Sequence, residues 1–162
     1  MSAVTIRPAV SSDAPGITRT FLQSAEHHAK LDPHRYFVPG ADAIAARYRD
    51  GHQHPADAAG TGVTLVAEAD GEIVGFVDAR LERSADAMHR ELLYCHVIEV
   101  AVEQDHQRRG IGRQLLHAAE DWGREHGADL VSLEFLEANS RAAALYRRLG
   151  YRAAAITGIK RL

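Results

Sequence analysis

The chain has 162 residues, about the length of one domain, and its 46% hydrophobic and 25% charged content excludes a disordered segment. Nineteen Lys and Arg against 22 Asp and Glu leave a net charge of −3, which lacks the basic excess of a dedicated nucleic-acid or polybasic membrane binder. The one cysteine, Cys95, excludes an internal disulfide, and with no signal-like start and no run near the ~18 apolar residues of a membrane span, a cytoplasmic location is expected.

In chain order, Val4–Arg7 reads as a first strand ended by Pro8. Ser11 and Ser12 offer an N-cap with Pro15 in the first turn, and Ile17, Phe21 and Ala25 at four-residue spacing carry a helix to about Lys30. A second helix is predicted over Asp42–Arg49, then a loop over Gly51–Gly62. Thr64–Ala69 and Glu72–Leu81 flank Asp70-Gly71, a pair that tolerates the positive φ of a tight hairpin. Ser84–Arg90 is a polar connection. Tyr94–Val102 is a strand of nearly continuous apolar character, which points to burial on both faces. Ile111–His126 is a helix with Gly127 as its C-cap, Leu130–Leu136 a strand, Ser140–Leu149 a helix and Tyr151–Ile159 a last strand. The strands around the middle helix should run parallel through a right-handed crossover. With the hairpin this predicts an α/β (α+β) fold: a mixed, mostly antiparallel sheet flanked by about four helices, in a single domain over 1–162.

Between the Tyr94–Val102 strand and the Ile111 helix lies Gln107-Arg108-Arg109-Gly110-Ile111-Gly112. A helix start presents unpaired N–H groups and partial positive charge, and glycine lets a ligand approach the backbone. Such a turn holds anions, phosphates above all. A dinucleotide fingerprint would need glycine at Leu115, and a nucleotide phosphate loop would need Lys and Ser or Thr where Arg113-Gln114 stands.

QRRGIG after the strand residues EVAV resembles the Gln/Arg-x-x-Gly-x-Gly/Ala signature of the GCN5-related N-acetyltransferase (GNAT) superfamily. Asn139 through Tyr151, NSRAAALYRRLGY, is similar to that family's N-x-x-A-x-x-L-Y-x-x-x-G-F/Y pattern. Both motifs stand in the family's order, and the resemblance covers nearly the whole chain. It implies a GNAT fold with one splayed parallel strand pair, and acetyl-CoA as cosubstrate. The pyrophosphate would lie on the amides of Gln107, Arg108, Arg109, Gly110, Ile111 and Gly112, with Arg108 and Arg113 helping. The pantetheine would pair with Val100, Ala101 and Val102, and Asn139 would bond it or simply cap its helix.

The resemblance makes Tyr146 the acid that protonates the departing thiolate, a role suited to a phenol of pKa about 10. A lysine-like amine costs about 4.6 kcal/mol to deprotonate at pH 7, against about 1 for an α-amine, so a carboxylate base is useful. Glu99, in an otherwise apolar strand, and Glu134, matching the base of ribosomal-protein N-terminal acetyltransferases, are the candidates. His96 falls where histone-type members carry a glutamate, which counts against a histone substrate. Strict alternation would put His96 and Glu99 on opposite faces. Tyr36, Phe37 and Tyr48 are candidates to line an acceptor site for a small-molecule or peptide amine. The ten histidines, including His27-His28 and His52/His54, form no metal-ligand pattern. Twelve residues after Gly150 leave room for one final strand beside Leu130–Leu136, in a region the family uses to dimerise. A homodimer is the family expectation, and a non-catalytic acyl-CoA-sensing module is the alternative function.

Overall fold

The computed structural model describes residues 3–49, 61–84, 87–88 and 90–161. Five strands form one sheet in sequence order: β1 (Thr5–Pro8), β2 (Gly62–Ala69), β3 (Glu72–Arg83), β4 (Leu93–Val102) and β5 (Leu130–Leu133). The first three pairings are antiparallel and β4–β5 is parallel, so the sheet is mixed. Among the described residues the helices are α1 (Ala14–Leu31), α2 (Ala41–Arg49), α3 (Ile111–Glu125) and α4 (Ser140–Arg148). Most of the Gly51–Gly62 loop and its His52/His54 pair lie outside the described residues, as does part of the Ser84–Arg90 connection.

The hairpin forms at Asp70-Gly71, both at positive φ (53° and 80°), as its sequence requires. Ser11 and Ser12 do not cap α1; with Asp13 they make a short 3-10 turn. Asp13 instead takes two bonds from Arg7 (2.7 and 2.9 Å) and one from the Val10 N–H (2.8 Å), which ties α1 to β1. Gly127, at φ 78°, lets the chain leave α3.

The sheet separates two apolar cores. On one side α3 packs Ile111, Leu115, Leu116 and Ala119 against Val77, Ala79, Cys95 and Val97. On the other, α1 and α2 pack Ile17, Ile44 and Tyr48 against Val66, Ile73, Phe76 and Ala101. Buried Asp78 links α2 to this face, accepting hydrogen bonds from the Tyr48 hydroxyl (2.6 Å) and from Thr64. Tyr48 is therefore a core residue, not a lining of an acceptor cleft.

Two strand expectations are corrected. β5 ends at Leu133 rather than Leu136, because β4 pairs with it only from Tyr94↔Leu130 to Val97↔Leu133. Residues 151–161 form no strand. Their Arg-Ala-Ala-Ala start has weak strand preference, and Ile156 and Ile159 lie exposed instead of making an alternating buried face.

The seat of α3 is set by Gly123, where an added Cβ would stand 2.6 Å from the Cys95 Cβ. Gly123→Ala is expected to cost roughly 1–3 kcal/mol through overpacking, read as a lower urea midpoint at unchanged slope.

Candidate active site

The site begins with one extra residue. Asp78 pairs with Glu99 and Ala79 with Val97, so Ile98 bulges out of the β3–β4 ladder. A bulge bends its strand and resets which face each later side chain takes. Cys95 and Val97 before it, and Val100 and Val102 after it, all join the α3 core. Glu99 instead faces α1, where the Ser24 hydroxyl donates to its Oε1 at 2.8 Å. His96, next to Cys95, faces the same way and meets Ser132 of β5 at 3.0 Å. The opposite-face expectation for His96 and Glu99 therefore fails, since alternation holds only in an unbulged strand. β4 runs on from Ile98 to Val102 without pairing to β5, and a gap opens there.

Burial raises the Glu99 pKa above the usual carboxylate range. The Ser24 bond and the charge of His28 oppose that rise, and Asp78 adds to it. The His28 Nδ1 lies 2.9 Å from the Ser24 carbonyl, which can only accept, so Nδ1 carries a proton. Sequence reasoning missed Ser24 and His28. The signal was there: Ile17, Phe21, Ser24 and His28 follow one helical stripe, whose apolar start turns polar opposite Glu99.

At the other end of the β4 extension stands the glycine turn. Gly110 is the N-cap of α3 in the left-handed region (φ 80°), with no side-chain cap and no acid in the first turn. Arg108 is left-handed too (φ 64°), an uncommon conformation for a residue with a Cβ. Such turns gather successive N–H groups into an anion-binding concavity. Arg108, Arg109 and Arg113 crowd the positive end of a helix dipole, an arrangement that an anion stabilises. A cleft of ≈ 340 Å³ lies here, lined by Gln104, Gln107, Arg108 and Arg141. Gln107 is held from both sides, donating to the Val102 carbonyl (3.0 Å) and accepting from Arg141 (2.6 Å). Arg109 donates to the Asp105 carbonyl at 2.9 Å, which turns it from the cleft. Gln104 and Arg141 were absent from the sequence-based set, because nothing in their local pattern marks them.

Tyr146 lies on the buried face of α4 between the rings of Phe135 (5.3 Å) and Tyr151 (5.9 Å). Burial, then the charge of Glu99, pushes its phenol up to about 12. Its hydroxyl has no hydrogen-bond partner among the described residues. Asn139 caps α4, accepting from the Ala142 N–H at 3.1 Å. Glu134 is exposed, one residue past the end of β5. The structure thus places Glu99 on the α1 face of β4, Tyr146 in the α3-side core, and Glu134 on the surface beside Phe135, the residue that packs on Tyr146.

A family model described as the acetyltransferase (GNAT) family matches residues 29–151. An uncharacterised N-acetyltransferase, YhfO of Bacillus subtilis, is 29% identical over 147 residues, 90% of this chain and 88% of its own. An N-alpha-acetyltransferase of Sulfurisphaera tokodaii is 36% identical over 92 residues, 54% of this chain and 55% of its own. Among solved structures, a variant of the BH1408 protein of Bacillus halodurans superposes with a TM-score of 0.83 at 21% identity, over 98% of this chain and 99% of its own. The aminoglycoside N-acetyltransferase AAC(6')-Iy, solved with CoA, does so with a TM-score of 0.73 at 19% identity, over 100% and 96%. At such identities these two likenesses are of fold.

Ser24→Ala removes the donated bond and is expected to raise the Glu99 midpoint further, read by carbon NMR of the carboxyl. The folded chain holds this proton more tightly than the unfolded one. The contribution to stability is therefore present at low pH and is lost as pH rises from the ordinary glutamate value of about 4.3 through the folded midpoint. Glu99→Gln is expected to flatten that slope.

Proposed function

The chain belongs to the GNAT acetyltransferase family, and from this we propose that residues 1–162 are a single domain that moves the acetyl group of acetyl-CoA to a primary amine. The observation that carries the reading is the uncapped, arginine-rich start of α3 at the end of the β4 extension that leaves β5, with the Glu99 carboxyl held by Ser24 on that extension. Acetyl-CoA supplies an acetyl group activated as a thioester. The anion cleft suits its pyrophosphate: the α3 N–H groups and Arg108 would hold the phosphates, while Gln107 and Arg141 shape the wall. Val100, Ala101 and Val102 offer the pantetheine the β4 edge that β5 leaves, with the Val102 carbonyl already taken by Gln107, and the Asn139 amide nitrogen remains available beside its cap.

In this reading Glu99 takes the amine proton. Its raised pKa narrows the gap to the amine that it deprotonates. A nitrogen–carbon bond forms, the carbon–sulfur bond breaks, and Tyr146 donates to the sulfur. The phenol at about 12 is a weaker acid than a free thiol at about 8.5, so outright transfer would be uphill by roughly 5 kcal/mol. Part of that height comes from the Glu99 charge. Once Glu99 has accepted the amine proton, the charge is gone and Tyr146 becomes the stronger acid. The base, by acting, prepares the acid.

Acetyl-CoA-dependent thiol release against a panel of amines tests this. Glu99→Gln is expected to lower kcat by about 10²–10⁴ and Tyr146→Phe by on the order of 10², with Glu134→Gln close to wild type. A loss confined to Glu134→Gln moves the base there. Acetyl-CoA binding without release from any amine points to the sensing module.

A further inference from the structure

We infer that the acceptor is an amine with an apolar body, aromatic or branched aliphatic, which packs on the segment joining α1 to α2; this rests on the transferase reading above. The segment runs from Asp32 to Gly40 and is bracketed by Pro33 and Pro39. Its first turn is built, not loose. The Arg35 and Tyr36 N–H groups both donate to the Asp32 carbonyl (3.3 and 3.1 Å), and Arg35 pairs with the Asp32 carboxylate at 3.0 Å.

Beyond that turn three apolar residues in succession face water: Tyr36 is 36% exposed, Phe37 77% and Val38 45%. Single exposed apolar residues are ordinary, whereas a contiguous run beside a polar site marks a docking surface. This run is continuous with the candidate base. The Tyr36 ring packs on His28 with centroids 5.3 Å apart. His28 bonds back to Ser24 one turn earlier, and the Ser24 hydroxyl rests on Glu99. An amine whose nitrogen reaches Glu99 along that path carries its substituent toward Tyr36, Phe37 and Val38.

Arg35 pairs with Asp32 and Arg47 with Asp78 (3.7 Å), so these charges offset one another and the apolar run sets the class of substituent that the segment receives.

The test uses the full chain at saturating acetyl-CoA. It compares kcat/KM for 2-phenylethylamine and isopentylamine with that for ethanolamine, putrescine and kanamycin. The apolar amines are expected to lead by at least about tenfold, the scale of one well-packed apolar group. Phe37→Ser and Val38→Ser, both at exposed positions, should each remove most of that lead. Equal or better turnover of the polar amines overturns this inference and leaves the transferase standing. So does a Phe37→Ser variant that loses all amines alike while converting a dimer to a monomer in sedimentation, because the run would then be covered by a second copy. Failure with every amine by protein that binds acetyl-CoA overturns both readings.

Discussion

One extra residue in β4 is the constraint on which the site depends. Without the bulge at Ile98, Glu99 would point into the packed face of α3, among Leu115, Leu116 and Ala119. A carboxylate there would lose its water with nothing to accept from, at a cost of several kcal/mol. With the bulge, the same residue meets the Ser24 hydroxyl, and the valines that follow it still reach the α3 core. The bend also carries β4 away from β5, so the opening between them and the direction of the carboxylate have one cause.

α1 spans the two halves of this arrangement. Arg19 pairs with Glu103 and donates to the Ile73 carbonyl at 3.1 Å. Gln23 accepts from the Gln104 N–H at 3.0 Å, just before the glycine turn. Its neighbour Ser24 holds Glu99. One helix therefore fixes both the loop that leads to the anion-binding turn and the carboxylate at the far end of the β4 extension.

Much of this was legible in the sequence, for reasons that differ by element. The Asp70-Gly71 hairpin and the QRRGIG turn are local: their residues dictate backbone dihedrals whatever surrounds them. The amphipathic stripe of α3 is local as well. The bulge is not, because it is a mismatch between two strands and no single strand records it. The early end of β5 follows from the bulge and was hidden for the same reason. Tyr48 reads as an aromatic near the acceptor region, yet its hydroxyl serves buried Asp78, a partner thirty residues away in sequence. Glu99 and Tyr146 were each identifiable by type, but the Ser24 hydroxyl on Glu99 and the rings around Tyr146 required the fold.

Cys95 shows how the packing of α3 reaches into the handling of the protein. It is the chain's one cysteine, fully buried where Gly123 crosses β4, with its thiol pushed up to about 11 by burial. Thiolate is the species that reacts with disulfide and maleimide reagents, and at neutral pH this sulfur is almost never thiolate and never at the surface. The native enzyme is therefore silent toward a colorimetric thiol reagent. Colour that develops during turnover reports the released product, and slow labelling of the protein itself becomes a clock for global unfolding.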